Sequence, residues 1–232
     1  MKRPALLLLS GNMCDTQLWS GIQDLEATHA DLSQDDSIAE MAERALASNP
    51  GPLILLGFSM GGIVALEMAR KARERIKGLI LADTNAGADL PERAAARPVQ
   101  QDRVRNGELA HIVADELKPA YLAVQNRGNE LLNTLLFKMA MALGDDVFIR
   151  QSEALRTRAD LGPVLDTFLG PVIFLCGSED ALCPPARHQK MAERCHNAEL
   201  HIIPGAGHLL PLEQPEQFRA VIDDWLTRNF GD

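Results

Sequence analysis

Cysteine is scarce. The 232 residues contain four, Cys14, Cys176, Cys183 and Cys195, spaced too unevenly for the disulfide framework of a small secreted domain. Reduced thiols and a cytoplasmic location are therefore expected. Long apolar runs are also missing. Lys2-Arg3 precedes an apolar stretch, as in an export signal, but Ala5 to Leu9 gives way at once to Ser10-Gly11-Asn12, short of the roughly 7–15 apolar residues such a signal needs. A first buried strand accounts for it better, and no run approaches a membrane span. Positive charge is in deficit, with 23 Lys and Arg against 32 Asp and Glu and a net charge of -9. Nucleic acid or an anionic membrane would be repelled. The expected substrate is neutral, or its charge is met by local residues.

Cofactor signatures are absent too. No Gly-x-Gly-x-x-Gly follows a strand and there is no P-loop, so no nucleotide cofactor is expected. Cys176, Cys183, His188, Cys195, His196, His201 and His208 crowd the last third, but their separations match neither paired Cys-x-x-Cys ligands nor His-Glu-x-x-His, and no metal is expected. Neither a linker rich in Pro, Gly or Ser nor an internal repeat divides the chain.

What is present is an ordinary globular composition, 46% hydrophobic and 24% charged, long enough to bury a sizeable core. Strand and helix alternate. Apolar runs at Ala5–Leu9, Leu53–Phe58, Ile76–Ala82, Pro171–Cys176 and Glu199–Ile203 read as strands covered on both faces, with a short, weak strand at Thr28–Leu32. Helices are expected from about Thr16 to Ala27 behind an Asp15 cap, from a Ser37–Glu40 capping box to about Ala47, and from Met60 to about Ala72. Two more are expected from Pro185 to Cys195 and from Pro215 to Asn229. An α/β fold follows, a mostly parallel sheet flanked by helices. Between about Thr84 and Leu169 no strand is evident. Helical signals recur there, from Pro91, over Glu108–Ala120, over Glu130–Leu143 and over Asp145–Thr157. The expected organisation is one structural domain, with residues 1–83 and 170–232 as the core and 84–169 as a helical lid.

The most informative stretch is Leu53-Ile54-Leu55-Leu56-Gly57-Phe58-Ser59-Met60-Gly61-Gly62. It puts a serine between two glycines at a strand-to-helix junction. A turn that sharp strains the serine backbone and brings strand and helix so close that side chains at positions 57 and 61 would collide. Ser59 is thereby a candidate nucleophile. The amide of Met60, at a helix amino terminus, suits a developing oxyanion. Elsewhere such a pentad can be no more than a tight turn.

In a parallel sheet the site lies at the carboxyl ends of the strands. The loop after Cys176 carries Asp180, and the loop after Ile203 carries His208 between Gly207 and Leu209. The chemistry needs all three residues. A serine hydroxyl is a poor nucleophile until an imidazole takes its proton, and a buried carboxylate on the other ring nitrogen fixes the tautomer and stabilises the imidazolium. Asp83 also ends a strand and is an alternative acid. Asp180 is preferred, leaving Asp83 as a turn residue bonding its own backbone amides. Glu179 is expected to point away. His29, His111, His188, His196 and His201 have no partner pattern and read as surface or core residues. Cys14 reads as a wall of the pocket.

These stretches, with Gly177-Ser178-Glu179-Asp180, Gly205-Ala206-Gly207-His208 and Glu213-Gln214-Pro215-Glu216, resemble the α/β-hydrolase fold superfamily over nearly the whole chain. They are similar to small lidded carboxylesterases, biotin-pathway methyl esterases and 3-oxoadipate enol-lactonases, the last also through Leu81 to Gly87. The resemblance implies a serine hydrolase without cofactor, acting on a small ester through an acyl-enzyme. A lactone, a thioester or a carbon–carbon bond beside a ketone are alternatives, as is a ligand-binding protein that turns nothing over. Many relatives carry His-Gly after the first parallel strand, where this chain has Ser10-Gly11-Asn12-Met13. By position the second oxyanion donor is the amide of Asn12, with Met13 as the alternative. The antiparallel strands with which relatives commonly begin are not evident, which puts Thr28–Leu32 at a sheet edge. An exposed edge can pair with a second copy, so monomer and homodimer are both open.

Overall fold

A computed structural model describes residues 4–117 and 120–231. Lys2 and Arg3, and residues 118–119 of the helix expected over Glu108–Ala120, lie outside the described residues.

The sheet has six strands, β1 (Ala5–Leu9), β2 (Ala27–His29), β3 (Leu53–Phe58), β4 (Ile76–Ala82), β5 (Val172–Gly177) and β6 (Ala198–Ile203), in the order β2-β1-β3-β4-β5-β6. Every pairing among the described residues is parallel. The side-chain alternation of a strand divides the core in two. Leu7, Leu9, Leu53, Leu55, Leu79, Leu81, Val172 and Phe174 face α1 (Ile38–Ser48) and α2 (Met60–Lys71). Leu6, Leu8, Ile54, Leu56, Ile80, Ile173 and Leu175 face Leu18, Trp19 and Ile22 on one side and Phe218, Ile222 and Trp225 of α9 (Pro215–Phe230) on the other. Both faces are covered, which is why these strands read as continuous apolar runs.

Chain order explains where a site can form. From β1 the chain runs outward to β2, then crosses back so that β3 lies on the other side of β1. The loops leaving β1 and β3 therefore diverge, and a crevice opens at their carboxyl ends. Ser10 and Ser59 begin those two loops.

Several boundaries differ from expectation. The segment after β1 is a 3₁₀ helix, Thr16–Ile22, bent at Trp19, instead of a longer α-helix, although Asp15 does cap it by accepting from the Gln17 amide at 2.8 Å. The edge strand β2 sits one residue earlier and ends at His29. Ser37 accepts from the Glu40 amide at 3.2 Å, but the Glu40 carboxylate accepts the Ser37 hydroxyl at 3.0 Å, where a capping box would have it accept the Ser37 amide.

Between β4 and β5 the described chain is helical. It comprises α3 (Pro91–Arg105), α4 (Leu109–His111) running into a π-helical turn over Ile112–Leu117, α5 (Glu130–Thr157) and α6 (Gly162–Thr167). The two helices expected on either side of Gly144 join in α5, which bends where Gly144 takes φ 79°. Val104, Leu109, Ile112, Val113, Ala140, Val147 and Phe148 form a small core shared by these helices. The remaining helices, α7 (Pro185–Ala192) and the short α8 (Leu210–Glu213), flank the last two strands. No described helix is long and apolar enough to cross a membrane.

Candidate active site

Ser59 sits at φ 52°, ψ -115°, between β3 and α2. A non-glycine residue is held there only by surroundings that over-determine it. Its amide donates to the Ala82 carbonyl at 2.9 Å, and its carbonyl accepts the Thr84 hydroxyl at 2.6 Å. Close packing adds the steric constraint. A Cβ on Gly61 would lie 1.9 Å from the Leu9 carbonyl oxygen, and one on Gly57 would lie 2.6 Å from the Gly61 oxygen.

The three residues expected to act together do meet. His208 Nε2 lies 3.0 Å from Ser59 Oγ, and His208 Nδ1 lies 2.9 Å from Asp180 Oδ2. A carboxylate facing Nδ1 fixes the proton there, so Nε2 is left to accept from the serine hydroxyl. Burial opposes ionisation of Asp180, yet His208, together with the amides of Cys183 and Leu182, holds its carboxyl below the usual range. Those amides reach Oδ1 at 2.9 Å and 2.8 Å. Glu179 points elsewhere and accepts the Val124 amide.

Asp83 behaves differently from its expected role as a self-bonded turn residue. It is fully buried at φ 44°, and its Oδ1 accepts the amide of Gly177 across the sheet at 2.9 Å. Burial and the neighbouring charge of Asp180 push its carboxyl well above the usual carboxylate range. His188 is a core residue. Its Nε2 accepts the Thr84 amide, and burial lowers its pKa to about 4. Two buried groups bring together possible metal ligands, Asp180, Cys183 and His208 in one, Asp83, Cys176 and Asp180 in the other. The Asp180 oxygens in both are already bound to His208 and to two amides, and burial pushes the Cys183 thiol up to about 12, so the donor set suits hydrogen bonding better than a cation.

A cavity of about 300 Å³ opens over Ser59 and His208, with Asn12, Met60, Cys14 and Tyr121 on its walls. Among the described residues neither the Asn12 nor the Met60 amide donates to a protein acceptor. The Met13 amide is taken, donating to Gln151 Oε1 at 2.8 Å. Cys14 is a thiol, its pKa pushed up to about 12 by burial and then by Asp15.

Two residues that hold the loops of this site were assigned no role from the sequence. Gln151, on α5, accepts from both the Met13 amide and the Asn12 side chain and donates to the Leu32 carbonyl. Glu213 accepts the amides of Gly207 and Ala123 and the side chain of Asn126, each at 2.8 Å, pinning both sides of the His208 loop. Gln151 is separated from Asn12 by 139 positions, beyond any motif. Glu213 lay within a stretch already singled out, with its role unassigned.

A model described as the alpha/beta hydrolase family matches residues 16–221. Among curated proteins, the pimeloyl-[acyl-carrier protein] methyl ester esterase of Aromatoleum aromaticum is 26% identical over 97% of this chain and 98% of its own length. The bifunctional biotin biosynthesis protein BioHC of Cellvibrio japonicus is 24% identical over 97% of this chain, which spans 48% of that protein. Among solved structures, a thermophilic esterase from Thermogutta terrifontis, with malate bound, is 28% identical with a TM-score of 0.90, covering 98% of this chain and 90% of that one.

Proposed function

Since the chain belongs to the alpha/beta hydrolase family, and so to a family of enzymes, we propose that it hydrolyses a small carboxylic ester through an acyl-enzyme on Ser59. The observation that carries this reading is the unbroken hydrogen-bonded chain from Ser59 Oγ through His208 to Asp180 at the floor of the cavity. His208 takes the serine proton as Oγ attacks the acyl carbon, then gives it to the leaving alcohol. Asp180 holds the imidazole and stabilises its charged form. The oxyanion rests on the amides of Met60 and Asn12, both on the cavity wall and free to donate. Water activated by His208 then releases the acid. Residues 84–169 act as the lid, which fits the place of α3 and Tyr121 on the cavity wall. The likeness to a methyl ester esterase favours an ester over the other bonds this triad could cleave.

The test is direct. Ser59→Ala and His208→Ala are each expected to lower hydrolysis of p-nitrophenyl acetate by about 10³-fold or more. A fluorophosphonate probe is expected to label the wild type at Ser59 and to leave Ser59→Ala unlabelled. Wild-type turnover in either variant would overturn the mechanism.

A further inference from the structure

The lid segment holds charges of both signs, and the sequence does not say which of them meet the substrate. The fold sorts them. Arg93, Arg97 and Gln100 recur on one face of α3, and all three border the cavity over Ser59. Arg158 joins them, and Asp89 and Glu116 are the acidic groups on the same wall.

Each acid is already engaged. Asp89, its side chain 2% exposed, accepts Arg97 Nε at 2.6 Å and lies 3.0 Å from Arg158 Nη1. Glu116 accepts Gln100 at 2.9 Å and shares Arg103 with Glu108. Arg158 is spent on structure, donating to the carbonyls of Gly87 and Leu155 at 3.0 Å. The wall thus sets three guanidinium groups, Arg93, Arg97 and Arg158, against two carboxylates, and keeps a surplus of positive charge in a protein whose net charge is -9.

The surplus is directed. Because Nε of Arg97 is fixed on Asp89, its two terminal nitrogens are left over, and among the described residues they donate to no protein group. The Tyr121 hydroxyl is likewise without a protein partner among the described residues. Tyr121 also borders the cavity, near enough to Arg97 to feel its charge, and its ring lies tilted by 39° against His208 with the centroids 5.9 Å apart. Two adjacent N–H groups of a guanidinium match the two oxygens of a carboxylate, and a phenolic O–H adds a third donor. Arg93, one turn before Arg97, makes no ion pair among the described residues and extends the same field toward the mouth of the cavity.

We infer that the substrate carries a free carboxylate at the end away from the scissile ester, seated on Arg97 and Tyr121. This inference rests on the ester-hydrolase reading. It names the substrate class as the half-ester of a short dicarboxylic acid, or a small ester with its carboxylate on the alcohol side.

Steady-state kinetics on matched pairs tests it. The monomethyl and dimethyl esters of succinate, glutarate and adipate differ only in the free carboxylate, and acetoxyacetate against its methyl ester probes the alcohol side. The wild type is expected to favour the anionic member by about tenfold or more in kcat/KM, and Arg97→Gln to lose about 10- to 100-fold of that preference, the range for a hydrogen bond to a charged group. Arg93→Gln, which breaks no ion pair or hydrogen bond among the described residues, is expected to lose about threefold, and the loss to shrink in high salt. Should Arg97→Gln not fold, Tyr121→Phe carries the comparison, with an expected loss of about 3- to 10-fold. No anionic preference in the wild type, or one unchanged in both variants, overturns the inference and leaves the hydrolase reading standing. If none of the esters turns over, the hydrolase reading fails, and calorimetry with glutarate decides the carboxylate site. Binding weakened tenfold by Arg97→Gln upholds the site, and no binding to the wild type overturns it.

Discussion

The carboxyl groups of Asp83 and Asp180 face each other behind His208, with a ligand oxygen of each and the Cys176 sulfur all within 4.8 Å of one another. Two carboxylates so close and so buried do not both ionise. Asp180 holds the imidazole and two amides, so it carries the charge, and Asp83 keeps its proton. Its Oδ2, which has no partner of its own among the described residues, is where that proton can reside.

Asn is a close mimic of a neutral Asp. Asp83→Asn is therefore expected to keep activity within about threefold, whereas Asp180→Asn is expected to lose about 10³- to 10⁴-fold because the imidazole loses its tautomer control. Kinetics on p-nitrophenyl acetate checks the ranking, and the reverse order would make Asp83 the acid.

The same pair sets a pH dependence. A carboxyl whose folded pKa is raised stabilises the fold fully below its unfolded pKa near 3.8, and that stability is lost as pH rises toward the folded value. Over that range the loss is about 1.4 kcal/mol per pH unit. Asp83→Asn is expected to melt above the wild type at pH 8, with the gap closing near pH 4. A gap that does not change with pH would show that Asp83 ionises normally.

His188 works in the opposite direction. Its folded pKa is lowered from 6.5 to about 4, chiefly by burial, so stability is intact above pH 6.5 and falls as the unfolded chain takes up a proton. The full loss, reached near pH 4, is about 3 kcal/mol. Urea denaturation of the wild type and His188→Gln at pH 7 and pH 4.5 is expected to show this loss only in the wild type.

Gln151 holds the loop that carries the Asn12 amide. Gln151→Ala frees the Met13 amide and the Asn12 side chain together. A drop in kcat of about tenfold with a smaller change in KM is expected, since a loosened donor weakens the transition state more than substrate binding. An unchanged kcat would remove Asn12 from the oxyanion site.

Glu213 acts on His208 from the other side. Glu213→Gln turns an amide group toward donors that a carboxylate satisfied, and about 2–4 kcal/mol of stability is expected to go with them. Equilibrium unfolding measures the loss. A fall in kcat is expected with it, because the His208 amide is bonded to Tyr121 on the segment Glu213 anchors.

Gly61→Ala would place a methyl 1.9 Å from the Leu9 oxygen, a backbone atom that cannot turn aside. Loss of cooperative unfolding, or of soluble protein, is expected. Gly128→Ala, which meets nothing within 4 Å, is the control.

By itself the sequence determined the sheet and the sharp turn that carries Ser59. Runs such as Leu53–Phe58 are apolar on both sides because helices cover both faces of the sheet, and the glycines flanking Ser59 record a backbone approach that only a sharp turn produces. Those are local constraints, written in adjacent residues. What a helix would do once packed was not local. The stretch after β1 tightened into a 3₁₀ turn, and α5 carried Gln151 onto a loop 138 residues away from it. Only the tertiary structure decided that Asp83 would share a buried site with Asp180, that Glu213 would hold the His208 loop, and which charges of the helical segment face Ser59. Each depends on desolvation and on partners distant in the chain, and a carboxylate or guanidinium acquires its chemistry from what surrounds it.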